Sequence, residues 1–322
     1  MRSKGSGAVL RRDAGAGRVR ALLGLLLLLL LLAGCRREAP QGPPPAAQAA
    51  PEASGTTADP AAEPELEPEF IPARLETAEA DQTPEPDAAL EALLTETVAA
   101  YPGTWRVCCR RLDTGVGAAV GQGPGVAASL IKLFVAGAYL EAVEQGTLED
   151  RWQTELEEMI TESSNAACNT LIDVLGQGDE EAGKAAVNAF AEALGCGDTQ
   201  LNRKMLEASD LENYTSPEDC VALLQAVWAG ELVSDQASKT LCGLLEGQTR
   251  RSKIPAGLPD GVRCGNKTGE LAQVENDAAI VWMEAGAYAL CVMVEDTPAP
   301  GATQSQIAAL SQIVYEYYTE PA

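Results

Sequence analysis

Ser129 and Lys132, in Ala127-Ala128-Ser129-Leu130-Ile131-Lys132, stand three positions apart in a 322-residue chain that contains no histidine. Without an imidazole, a nucleophilic serine must take its base from another residue type. Lysine three positions on can serve, because residues i and i+3 of a helix share one face and reach each other. An uncharged amine there accepts the hydroxyl proton, which is the serine–lysine form of nucleophilic catalysis. A lone Ser-x-x-Lys arises by chance in a chain of this length, so it gains weight only from partners. Two partners follow in order: Ser163-Ser164-Asn165, then Gly265-Asn266-Lys267-Thr268-Gly269 ahead of a strand-like run.

The elements that must position these residues are legible in the apolar spacing. Pro86 to Ala100 reads as a helix, with Leu90, Leu93, Leu94 and Val98 at near-helical intervals. Thr104 to Arg111 and Val116 to Val120 read as strands joined by the turn Asp113-Thr114-Gly115. Ser129 opens an apolar helix that runs to about Glu144 and stops at Gln145-Gly146. Helical segments follow over about 152–163, 166–176 and 179–194. Ser216-Pro217 starts another helix, to about Ala229, and Ser234 to Leu245 forms the next. Val262–Lys267, Ala278–Glu284 and Tyr288–Val294 read as strands, and a last helix spans about 304–318. Two strands, a helical block and three strands imply an α+β fold. Its five-stranded antiparallel sheet is built from both ends of the domain and flanked by helices, with a mostly helical second lobe.

Ser-x-x-Lys, Ser-x-Asn and Lys-Thr-Gly in that order resemble the class A β-lactamase-related serine hydrolases, within the wider penicillin-recognising family. The likeness covers roughly residues 87–320. It implies a β-lactamase/transpeptidase-like fold of three α/β/α layers, with the serine at a helix start where the lobes meet. It also implies an acyl-enzyme formed on Ser129, with Lys132 as base and Ser163 passing a proton to the leaving nitrogen. Asn165 would donate to a substrate carbonyl and Asn169 would brace a loop beneath. Lys267 and Thr268 would hold a substrate carboxylate, and Gly269 would let its strand come close. The backbone N–H groups of Ser129 and Glu270 would form the oxyanion hole. Lys267, a second cation, would disfavour protonation of Lys132. No cofactor or metal is implied.

Three departures qualify the likeness. Met205, in Leu201-Asn202-Arg203-Lys204-Met205-Leu206-Glu207, stands where the family carries the glutamate that activates the deacylating water; Glu207 or Glu212 is the nearest substitute. The segment between Ser129 and Ser163 is shorter than in typical class A enzymes. Glu270 replaces a small residue after Lys-Thr-Gly and brings a carboxylate to the oxyanion site. The expectation is therefore a serine hydrolase that opens an amide such as a β-lactam ring, with weak turnover. The alternatives are a peptidase or esterase acting on cell-wall peptides, or a surface-tethered binding module without catalysis.

The chain begins with a basic stretch, an apolar run Ala21–Leu32 and Leu32-Ala33-Gly34-Cys35, which resembles a bacterial lipobox. Residues 1–35 are expected to be a signal segment, with Cys35 lipidated and the protein anchored outside the cytoplasm. Residues 36–86, rich in Pro, Ala and Glu, read as an extended spacer, and 87–322 as the hydrolase domain. Eight of the 23 basic residues but only one of the 47 acids lie at or before Arg37, which leaves a net charge of −31 from position 38 onward. Such a charge argues against nucleic acid and favours a small substrate, a β-lactam or a peptide or ester ending in carboxylate, bound by a local cationic pocket in a monomer. Eight cysteines besides Cys35 are dispersed through the domain, with disulfides and buried thiols both open. Cys108 and Cys109 must face opposite sides of their strand.

Overall fold

The computed structural model describes residues 86–319. The expected signal segment with Cys35, and the expected spacer up to residue 85, lie outside the described residues. Helix α1 (Ala88–Ala99) opens on Asp87, whose carboxylate accepts the Leu90 N–H at 3.0 Å and caps the first turn. Strands β1 (Thr104–Arg111) and β2 (Gly117–Val120) form a hairpin whose connection carries Gly115 at φ +74°. After a two-residue strand β3 (Gly125–Val126), a single 3-10 turn (Ala128–Leu130) leads into α2 (Ile131–Glu144).

The helical block holds α3 (Gln153–Thr161), α4 (Asn165–Leu175), α5 (Glu180–Ala193), α6 (Pro217–Ala229) and α7 (Asp235–Glu246), with β4 (Tyr214–Thr215) paired to β3. Strands β5 (Cys264–Leu271), β6 (Val274–Met283) and β7 (Gly286–Glu295) and helix α8 (Pro300–Thr319) complete the described chain. The sheet is antiparallel throughout, in the order β2-β1-β7-β6-β5, so β5 is an edge strand.

Three layers result from the alternation of side chains along these strands. Val107, Cys109, Leu290 and Val292 pack beneath α1 and α8 against Leu90, Leu94, Ile307 and Leu310. Cys108, Cys291 and Met293 belong to the other core, with residues of α2, α4 and α6. Cys108 and Cys109 therefore do face opposite layers. All eight described cysteines are free thiols, and seven of them are buried. No helix among the described residues is long and apolar enough to cross a membrane.

The expected element order holds, but several boundaries move for physical reasons. β5 extends through Lys267-Thr268-Gly269-Glu270 to Leu271, beyond the expected end at Lys267, because those polar residues sit on an edge strand. β6 begins at Val274 rather than Ala278, since Glu275, Asn276 and Asp277 are buried polar strand residues whose partners lie far away in sequence. Ser129 lies in the 3-10 turn preceding α2, not in the α-helix itself. The short pair β3–β4 had no sequence signal.

Asn276 joins the sheet to the segment that carries Ser129. Fully buried, it donates from Nδ2 to the Val126 and Ala127 carbonyls at 2.9 and 3.2 Å, and its Oδ1 accepts the Val294 N–H at 3.2 Å. Asn276→Ala strips partners from three buried backbone groups and is expected to cost about 1–3 kcal/mol, read as a lower midpoint in thermal unfolding. An unchanged midpoint would show that the joint is not structural.

Candidate active site

The turn bearing Ser129 is held from three directions. The Ala127 N–H donates to the Asn213 carbonyl at 2.8 Å, the Leu130 N–H closes on Ala127 at 3.0 Å, and Asn276 holds the Val126 and Ala127 carbonyls. Ala128 adopts φ +47°, a conformation that costs a non-glycine residue free energy and persists only when its surroundings impose it. β5 runs close alongside. A Cβ on Gly269 would stand 3.0 Å from the Ala127 carbonyl oxygen and 3.2 Å from the Ser129 nitrogen, so any side chain there would press the Ser129 turn back by a few tenths of an ångström.

Lys132, in the first turn of α2, is completely buried. Its Nζ lies 3.0 Å from Ser129 Oγ, 2.7 Å from Asn165 Oδ1, and 2.6 and 3.2 Å from the carbonyl oxygen and Oγ of Ser163. No carboxylate is among these partners. Burial therefore dominates and pushes the amine down to about 8; the Cys168 thiol opposes this and Arg250 adds to it. Lys267, from β5, donates to Ser163 Oγ at 2.8 Å and to the Thr268 carbonyl at 2.7 Å. Burial drives Lys267 well below its ordinary value, Lys132 adds to the shift, and Asp277 opposes it. The repulsion between the two amines falls on Lys267, and Lys267 is not among the groups that shift Lys132. Ser163 bridges the two lysines from the connection between α3 and α4, where it holds φ +60°. Asn165 opens α4 behind the cap Ser164 and, with Oδ1 on Lys132, keeps its amide hydrogens for the cavity.

Ser129, Asn165, Met205, Leu206, Glu270 and Leu271 line one small cavity of about 50 Å³. Its lid is the 201–213 loop, which is tied down by asparagines. Asn169 bonds Met205 through both N–H (2.8 Å) and C=O (3.1 Å), and Asn188 grips Leu201 in the same way. Asn213 accepts the Asn202 and Arg203 N–H groups. Neither substitute carboxylate is free. Glu212 lines the cavity with its Oε2 held 2.6 Å from Arg203, while Glu207 is exposed and accepts the Lys204 N–H. Burial would raise the Glu270 carboxyl, but Lys253 first, then Arg250 and Lys267, hold it below its ordinary value. The ion pairs to Lys253 and Arg250 are each 3.1 Å long.

The structure thus brings Ser129, Lys132, Ser163, Asn165, Lys267, Gly269 and Glu270 together, with Thr268 buried in the same strand segment. Sequence reasoning missed Arg250, Lys253 and Asn276. The first two sit in a loop without periodicity, and only the polar run Glu275-Asn276-Asp277 beside apolar strand residues hinted at a buried network.

Residues 149–318 match the model of the family described as "Beta-lactamase enzyme family". The chain belongs to the beta-lactamase enzyme family. Among solved structures, this family member is similar to PBP-A, at 26% identity and a TM-score of 0.65 over 73% of this chain and 97% of that one. An ancestral class A β-lactamase (GNCA) shows 26% identity and a TM-score of 0.64 over 71% and 99% of the two chains. A β-lactamase from Sphaerobacter thermophilus, at 24% identity and a TM-score of 0.64 over 73% and 100%, shares the fold. No curated protein sequence matches. The five-stranded sheet with its flanking helices is thus a β-lactamase/transpeptidase-like architecture.

The depressed Lys132 amine is directly observable. With lysines labelled at Cε, nuclear magnetic resonance should show one side chain, lost in Lys132→Arg, titrating near pH 8. The unfolded chain holds that proton up to about 10.5, so the burial penalty operates below pH 8 and fades as pH rises towards 10.5. A Lys132 midpoint at 10 or above would contradict the burial argument.

Proposed function

We propose that this protein is a serine hydrolase that forms an acyl-enzyme on Ser129 with amides or esters ending in a carboxylate, β-lactams among them. The observation that carries the reading is the 3.0 Å approach of the buried Lys132 amine to Ser129 Oγ. At pH 7 about a tenth of an amine with a value near 8 is uncharged, which suffices for a general base. Lys132 takes the Ser129 proton as Oγ bonds to the substrate carbonyl carbon. The resulting oxyanion is received by the N–H groups of Ser129 and Glu270. The lysine proton then passes through Ser163 Oγ, 3.2 Å away, to the leaving nitrogen as the C–N bond breaks.

An arriving carboxylate favours the charged form of Lys267, and Lys267 and Thr268 bind it. Asn165 directs its amide to the acyl group. A point mutant of PBP-A, 26% identical with a TM-score of 0.66, has been solved as an acyl-enzyme complex with penicillin G, which supports a β-lactam as acyl donor here.

Deacylation is the slow half. Met205 lines the cavity at the place expected for a water-activating carboxylate, and Glu212 is bound to Arg203. We place this domain outside the cytoplasm on a lipid carried by Cys35, with 36–86 as its spacer.

Intact-mass measurement after exposure to penicillin G should show an adduct that persists and is absent from Ser129→Ala. No adduct with any acyl donor would leave a binding module instead. Met205→Glu should speed loss of the adduct by about 10²-fold or more, followed by the mass time course. No acceleration would show that this side chain does not face the ester.

A further inference from the structure

Lys253 is completely buried, yet acylation as described makes no use of it. Its Nζ lies 2.6 Å from Glu275 Oε2 and 3.1 Å from Glu270 Oε1. It also donates to the Asn276 carbonyl at 3.0 Å and the Gly269 carbonyl at 3.3 Å. Gly269 and Asn276 are directly opposed in the β5–β6 register. In an antiparallel pair, the carbonyls of opposed residues either both point into the gap between the strands or both point away from it. One ammonium can reach both only in the first case.

That orientation has a consequence for catalysis. A trans peptide directs its C=O and its N–H in opposite senses. With the Gly269 carbonyl held in the gap, the N–H of the same peptide, that of Glu270, leaves β5 on its other side. That side is the unpaired edge of the sheet, and Gly269 itself lies against the Ser129 turn. The Glu270 carboxylate presents a second problem, since an anion beside a forming oxyanion opposes it. Lys253 and Arg250 draw that carboxylate onto themselves.

We infer that Lys253 is a positioning residue for the oxyanion hole: it clamps the Gly269–Glu270 peptide so that the Glu270 N–H faces the reacting carbonyl, and it offsets the adjacent carboxylate. This rests on the acylation of Ser129 proposed above. The clamp is separable from the charge effect, because Glu270→Gln removes the anion and leaves the peptide.

The test is Lys253→Met in the wild-type and Glu270→Gln backgrounds, with acylation by penicillin G followed by stopped-flow and the ester carbonyl stretch of the acyl-enzyme read by infrared difference spectroscopy. Removal of one oxyanion-hole donor typically costs about 10²–10³-fold, so misdirecting the Glu270 N–H should slow acylation at least about tenfold in both backgrounds. The carbonyl band should move to higher frequency as its hydrogen bond weakens, a change that general destabilisation does not produce. An unshifted band, or a rate equal to that of Glu270→Gln alone, overturns the clamp. If Lys253→Met does not fold, the crystal structure of the wild-type acyl-enzyme decides. Lys253 Nζ must then remain on the Gly269 carbonyl while the ester oxygen sits on Glu270 N, and a carbonyl turned away with the ester held overturns the inference. A wild-type chain that accepts no acyl group overturns both readings; one that acylates while the variant band stays put overturns this one alone.

Discussion

An amine removed from water without a carboxylate beside it is the constraint on which this site depends. Lys132 has four oxygens within 3.2 Å, all from neutral groups. A buried ion pair would have fixed the charged form; neutral acceptors only orient the nitrogen. The fall from 10.5 to about 8 corresponds to about 3 kcal/mol in favour of the neutral form. The protein has no imidazole, and burial brings a lysine close to the range in which histidine works.

The scaffold is arranged to keep that amine dry and its neighbours close. Three of the six described non-glycine residues with positive φ, Ala128, Ser163 and Leu206, lie there, where surrounding structure imposes the conformation. Behind the site, the inner residues of β6 form a polar second layer: Asn276 fastens the Ser129 turn, and Asp277 accepts from Asn266 Nδ2 and the Ile254 N–H. Complete burial pushes Asp277 up to about 6, with Lys253 and its hydrogen bonds opposing. Such a network is costly when any member lacks its partner.

The sequence told most about features that repeat or bear caps. Ser216-Pro217 placed α6 well, and the three short motifs located every hydrogen-bond partner of the Lys132 amine. Long-range partnerships were invisible. Nothing local marks Lys253 as buried, since its companions Glu270 and Glu275 lie 17 and 22 positions away. For the same reason β6 looked shorter than it is: a polar triplet reads as a loop until the groups that satisfy it are known. Glu270 was recognised as an unusual carboxylate, but the cations that restrain it were not.

The central claim is that Lys132 acts uncharged on Ser129, and the pH dependence of the acylation rate constant under single-turnover conditions tests it most directly. The account predicts a rate that climbs about tenfold per pH unit below 8, bends near 8 and is level above it. A rate constant independent of pH between 6 and 9 would contradict it.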